Sequence, residues 1–280
     1  MNQMQDRVCV ITGGTAGIGR ATAVALAKLG STVVILGQSR ERGEQARAEI
    51  AKESGNNKIE FVAADLAVQA DVRRAAAELL KNHEKVHVLI NNAAVFLPKR
   101  EVTVDGIEKM FATNYLSHFL LTNLLLDRLK QSAPARIVNV ATLIRGARID
   151  LNNLMLENGK YSSFGANGPT KLALILFTRE LAKMLTRTGV TVNALEPGLV
   201  KTTIMDSQPW LIRMLIHLIS TTPEKGAQTS VFLASDPGIT GVTGKYFAKC
   251  REVPIHGIQV DDERLSKQLW EKSIQLSRLT

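Results

Sequence analysis

The 280-residue chain holds two cysteines, Cys9 within an apolar run and Cys250 near the end, which make neither a disulfide framework nor a thiolate metal site. Its histidines, His83, His87, His118, His217 and His256, are scattered without ligand spacing, so no metal is expected. No apolar run reaches the ~18–20 residues that cross a bilayer. The start, Met1-Asn2-Gln3-Met4-Gln5-Asp6, is not a secretory leader, so a cytoplasmic chain without a membrane anchor is expected. Pro/Ser-rich linkers, low-complexity stretches and repeats are also missing. The span 1–280 therefore reads as one domain, and 45% hydrophobic residues suffice for its core. The formal charge is +9, yet no run of five basic residues occurs, and Lys and Arg are interleaved with acids. That distribution favours a solvated cationic surface over a nucleic-acid groove. Its field would suit an anionic substrate or a cofactor phosphate.

What is present is a repeating pattern. Val8-Cys9-Val10-Ile11 is a short β-branched run, the mark of a strand buried on both faces. Thr12-Gly13-Gly14-Thr15-Ala16-Gly17-Ile18-Gly19 follows, then Ala21 to Leu29 with helical composition, stopped by Gly30. Strand, glycine-rich turn and helix in this order make an anion site. Glycines let backbone N–H groups approach a pyrophosphate, and the helix N-terminus adds partial positive charge. Alone, such a turn is equally a tight bend; its place between strand and helix points to a dinucleotide. Thr32 to Leu36 reads as a second strand at βαβ spacing. An acid at its tip would favour NAD, whereas a base accommodates the phosphate of NADP. The tip is Gly37-Gln38-Ser39-Arg40, with Arg42 close behind and no acid. NADP is the expected cofactor, with NAD left open, since these arginines also suit the solvated start of a helix. Ile59 to Ala63 before Asp65-Leu66, and Val86 to Ile90 before Asn91-Asn92-Ala93-Ala94, repeat the pattern. Strands alternating with helices predict an α/β fold, a doubly wound parallel sheet covered on both faces.

These segments together resemble the short-chain dehydrogenase/reductases, and within them the retinol-dehydrogenase-like group. The resemblance lies in the turn Thr12 to Gly19, in Asp65, and in Asn91 to Ala94. Phe111-Ala112-Thr113-Asn114-Tyr115-Leu116-Ser117-His118 is similar to the segment carrying the family's active-site Asn, here Asn114. Arg136 to Val140 resembles strand five, and Pro197-Gly198-Leu199-Val200-Lys201-Thr202 the loop that grips the nicotinamide amide. Thr222 to Gln228 and Gly244-Lys245-Tyr246-Phe247 resemble the group's C-terminal portion. The likeness covers nearly the whole chain. It implies a single Rossmann-type domain that holds NAD(P) through Gly13, Thr15, Gly17, Ile18, Gly19, Gln38, Arg40, Asp65, Leu66, Asn92, Ala93, Lys171, Pro197, Gly198, Val200 and Thr202.

The catalytic set departs from the family. There a Tyr, assisted by a Lys one helical turn later, exchanges a proton with the substrate oxygen. A Ser hydrogen-bonds that oxygen, and an Asn holds a water in the relay. Here Lys171 and Asn114 remain, Thr142 stands at the Ser position and keeps a hydroxyl, and Asn167 stands at the Tyr position. A carboxamide donates hydrogen bonds but gives up no proton at ordinary pH. Losing a positioned general acid costs ~10²–10⁴-fold in rate. Tyr161 is an alternative acid, but it lies off the face shared by positions 167 and 171, and Gly165 and Gly168 argue against one helix reaching back to it.

Three readings stay open. One is an oxidoreductase of altered chemistry, reducing an activated C=C or a carbonyl, with Asn167 and Thr142 stabilising an oxyanion. Another is a non-redox cyclase, isomerase or dehydratase that keeps the dinucleotide as scaffold. The third is a cofactor-binding protein without catalysis. The insert 203–222 includes Trp210-Leu211-Ile212-Arg213-Met214-Leu215-Ile216, apolar nearly all round. The resemblance makes it a lid over a hydrophobic substrate; a buried helix or a membrane-surface contact is the plainer reading. His118, one turn after Asn114, either approaches the site or packs at a helix interface. Helices are expected over Asn114 to Lys130, Thr170 to Thr186 and 261–279. In relatives the first two make a dimer interface, so Leu124, Leu125, Leu176 and Leu181 are expected to face a second subunit in a homodimer.

Overall fold

The structure is a computed structural model that describes residues 4–198 and 222–279. Eight strands form one sheet in the order β3-β2-β1-β4-β5-β6-β7-β8. They are β1 Val8–Thr12, β2 Thr32–Gly37, β3 Ile59–Ala63, β4 Val88–Asn91, β5 Ala135–Val140, β6 Val190–Glu196, β7 Tyr246–Ala248 and β8 Arg251–Glu252. All pairings are parallel except the last, between β7 and β8. This is the doubly wound sheet expected from the alternating pattern.

Residues of each central strand alternate between two cores. Val10, Val34 and Leu36 join the cluster under α3 (Gln69–Asn82), α5 (Ser117–Gln131) and α6 (Ser163–Met184). Cys9, Ile11, Val33 and Ile35 join the cluster under α1 (Gly17–Lys28), α2 (Arg40–Ser54) and α7 (Pro223–Ser235). Burial on both faces is why these strands read as unbroken apolar runs. Chain order reverses between β1 and β4, which opens a crevice at their carboxyl ends, the usual ligand position in such sheets.

Two local features differ from expectation. First, α6 does not begin at Thr170; it runs unbroken from Ser163 through Gly165, Gly168 and Pro169. Ser162 caps it, its hydroxyl accepting from the Gly165 N–H at 3.1 Å. Gly168 is a contact glycine rather than a break: a Cβ there would lie 3.0 Å from the Ala147 Cβ. Second, the single turn α4 (Lys109–Phe111) passes into a π-helical turn, Ala112–Leu116, before α5. Asn114 therefore sits in a widened turn, not at the start of a regular helix.

The C-terminal helix α8 (Glu263–Ser277) packs on the aromatic rings of α5 and α6. Trp270 packs edge-on against Phe119, centroids 4.9 Å apart, and stacks on Phe177 at 5.7 Å. The Tyr115 and Ser273 hydroxyls lie 2.8 Å apart in a buried hydrogen bond. Leu125, Leu176 and Leu181 are buried within the single chain, and Leu124 packs against the same core. Among the described residues, no helix is long and apolar enough to cross a membrane.

Candidate active site

The turn after β1 is built for close approach. Gly13 and Gly17 adopt positive φ, 64° and 53°. A Cβ on Gly19 would stand 2.2 Å from the Gly13 carbonyl oxygen and 2.6 Å from Asn92 Nδ2, so only glycine fits. No side chain caps the N-terminus of α1, and its first turn holds no acid, which leaves its N–H groups for an anion. Thr15 lies against Gly37, Ile18 in the first turn of α1 lends its carbonyl to Thr22, and Leu66 is buried beyond β3. At the rim, Gln38 donates to Asp65 at 2.8 Å, while Arg40 is exposed at the start of α2. The uncapped helix end and the glycine cradle fit the pyrophosphate of a dinucleotide.

Thr12 ties β1 to β4. Its hydroxyl accepts from the N–H groups of Asn92 and Ala93, at 2.8 and 3.0 Å, and lies 3.1 Å from His118 Nε2. Asn92 Nδ2 donates back to the Thr12 and Gly13 carbonyls. His118 is thus more than packing. Its Nδ1 faces the Asn114 carbonyl at 3.2 Å and must carry the proton, which leaves Nε2 as an acceptor beside the Thr12 hydroxyl, whose one proton also faces the Ile90 carbonyl at 3.3 Å. Burial, with Lys171 nearby, pushes the His118 pKa down to about 3, and the ring is neutral. Thr12 escaped the candidate set because a threonine ending a strand carries no distinctive spacing. The position of His118 one turn after Asn114 was the available signal for its role.

Beneath the crevice a buried ladder crosses the sheet. Asn91 Nδ2 donates to Thr122 and to Asn139 Oδ1, and Asn139 Nδ2 donates to Thr178, at 3.0, 2.8 and 2.8 Å. It joins α5 to α6 through β4 and β5.

On that floor Asn114 meets Asn167. The Val95 N–H donates to Asn114 Oδ1 at 2.7 Å, and Asn114 Nδ2 donates to the Val95 carbonyl at 2.9 Å. With the Asn114 amide thus oriented, its Nδ2 also donates to Asn167 Oδ1 at 3.3 Å. The carboxamide oxygen of Asn167 is therefore engaged. Its Nδ2 has no hydrogen-bond partner among the described residues. Lys171, one turn on, is 9% exposed, and its Nζ donates to the Val140 carbonyl at 3.1 Å. Burial lowers its pKa to about 8. Thr142 follows β5 two residues beyond Val140, half-buried, its hydroxyl also without a partner among the described residues.

No tyrosine fills the place of the missing phenol. Tyr161 donates to the Leu97 carbonyl at 3.4 Å, and burial with Glu108 and Glu101 nearby pushes its pKa up to about 12. Tyr115 bonds Ser273, and Tyr246 bonds Glu196. Pro197 and Gly198, φ 76°, leave β6 at the crevice. Val200, Thr202 and lid positions 203–221 lie outside the described residues.

The short chain dehydrogenase pattern matches residues 7–210. The chain belongs to the short-chain dehydrogenase family. Among curated members, retinol dehydrogenase 14 of Homo sapiens is 40% identical over 290 residues, covering 96% of this chain and 86% of that protein. Polyprenol dehydrogenase of Homo sapiens is 38% identical over 283 residues, with 97% and 85% covered. Among solved structures, an uncharacterised protein from Mycobacterium paratuberculosis superposes with TM-score 0.79 at 30% identity, covering 98% of this chain and 94% of its own. A Beutenbergia cavernae protein, taken as an NAD(P)-dependent gluconate 5-dehydrogenase and holding NADP at low occupancy, gives 0.72 at 29%, with 89% and 96% covered. Over nearly its full length this short-chain dehydrogenase is thus similar to proteins named as retinol and polyprenol dehydrogenases.

Proposed function

We propose that this short-chain dehydrogenase is an NADP(H)-dependent oxidoreductase that reduces a C=C bond conjugated to the carbonyl of a hydrophobic small molecule. One observation carries the reading: Asn114 holds the Asn167 oxygen, so the slot of the usual phenol offers N–H donors without an acid. Such a pair with the Thr142 hydroxyl suits an oxygen that gains charge and needs hydrogen bonds more than an immediate proton. When bound, the dinucleotide supplies a hydride. Addition at the β-carbon moves the C=C pair toward the carbonyl and leaves an enolate, which Asn167 Nδ2 and the Thr142 hydroxyl stabilise. Lys171 Nζ, held at Val140, or a water then delivers a proton to the α-carbon, and the product is the saturated ketone. An alkoxide, the product of direct ketone reduction, is far more basic and is served poorly by amide donors.

NADP is favoured by the absence of an acid at the tip of β2, by the exposed Arg40 there, and by the NADP held by the Beutenbergia relative. A hydrophobic substrate is supported by the names of the retinol and polyprenol dehydrogenases. A homodimer through α5 and α6 is proposed on the resemblance alone.

The test is a paired assay of NADPH oxidation with an α,β-unsaturated ketone and its saturated counterpart. Product mass and deuterium from labelled NADPH at the β-carbon are expected with the first alone. Reduction of both carbonyls to alcohols would defeat this reading.

A further inference from the structure

Tyr246 belongs to no part of the site described so far, yet its hydroxyl reaches two of its edges. The ring is 5% exposed on β7, and Tyr246 lies opposite Ala194 of β6. Along that strand pair the phenol leans past one register step to the last residue of β6, donating to Glu196 Oε2 at 3.0 Å. The same oxygen accepts the Leu143 backbone N–H at 3.1 Å. Leu143 directly follows Thr142, and Glu196 directly precedes Pro197 and Gly198. One hydroxyl thus joins the loop bearing the substrate-side donor to the start of the loop at the nicotinamide end. Burial and the neighbouring Glu196 raise the Tyr246 pKa well above its ordinary value, so the phenol keeps its proton and can donate to Glu196.

We propose that Tyr246 is a positioning residue, a strap that fixes Thr142 relative to Pro197 and Gly198 through Leu143 and Glu196. It touches no reacting atom. Without it, Leu143 loses a buried-side acceptor and Glu196 a donor, while the sheet pairing of β6 with β7 is untouched. The inference rests on the roles given above to Thr142 and to the cofactor loop. Its physical core, the strap itself, can be read without turnover.

Three full-length proteins decide it: native, Tyr246→Phe, which keeps the ring, and Glu196→Gln, which keeps an acceptor oxygen. Amide exchange by NMR in the cofactor-free state is expected to be ~10-fold faster at Leu143 in Tyr246→Phe, the loss of one hydrogen bond. Val192 and Leu195 inside β6 should exchange at native rates. NADPH, followed by its fluorescence, should bind ~3–10-fold more weakly to Tyr246→Phe. Glu196→Gln should retain most of both properties. Unchanged exchange at Leu143 overturns the strap, as does an equal rise throughout β6, which marks general loosening. Faster exchange at Leu143 with native NADPH affinity overturns the coupling between the two loops. Failure of the native protein to reduce any enone, with Leu143 responding as stated, strikes the proposed activity and leaves the strap standing.

Discussion

In the proposed reaction Lys171 is the residue on which proton transfer turns. In relatives with Tyr, the lysine tunes another group's acidity. Here its ammonium is the acid nearest neutrality in the described part of the site, lowered by burial to about 8. Below that pH the folded and unfolded chains both hold the proton, and the native state carries the full cost of burying the charge. Between about 8 and the ordinary 10.5 the native lysine releases its proton first, so the unfolded chain binds more protons and stability rises with pH. Catalysis should move the other way, with turnover falling above pH ~8 as the donor is lost. Urea unfolding and pH–rate profiles of native and Lys171→Met proteins check both slopes. A native stability that drops relative to Lys171→Met as pH rises from 7 to 10 would contradict the buried-ammonium account. The nearness of Asn114 to Asn167, and of Lys171 one turn on, was legible because the one-turn spacing and the matching motif survive substitution. It could not show which end of the Asn167 amide faces Asn114, since the Val95 backbone decides that.

At the scale of elements, the strand–turn–helix unit β1–α1 carries the cofactor reading. Gly19→Ala would press a methyl to 2.2 Å from a backbone carbonyl, which no rotamer relieves. A loss of about 2 kcal/mol in stability and of measurable NADPH binding is expected, read by denaturant titration and fluorescence. Native binding in that variant would mean that this turn does not receive the pyrophosphate. The strands were legible because burial on both faces leaves unbroken apolar runs, and β3 fell on the expected Ile59 to Ala63. The start of α6 was not. Gly165 and Gly168 read locally as breakers, whereas the Ser162 cap and the approach of Ala147 make them tolerable in the folded chain. The π-turn at Asn114 has no sequence signature, and the bond between Tyr246 and Glu196 depends on the pairing of β6 with β7.

For the whole molecule, α8 closes the core over Phe119 and Phe177 through Trp270. A helix over 261–279 was legible in the sequence; its destination was not, because no local pattern names the rings that a terminal helix will meet. Trp270 is half-buried, so Trp270→Ala should cost about 2 kcal/mol, less than the ~3–5 of a fully buried ring. The uncovered Phe119 and Phe177 should then promote self-association, visible by sedimentation. Native stability and sedimentation in this variant would show that the α8 contact is incidental.

The central claim is that an amide in the phenol slot diverts this fold from alcohol–ketone chemistry. The most direct test runs the paired enone and ketone assay on native protein and Asn167→Tyr side by side. The account predicts enone reduction by the native chain and ketone reduction that rises at least ~10²-fold when the phenol is restored. Equal ketone turnover in the two proteins would contradict it.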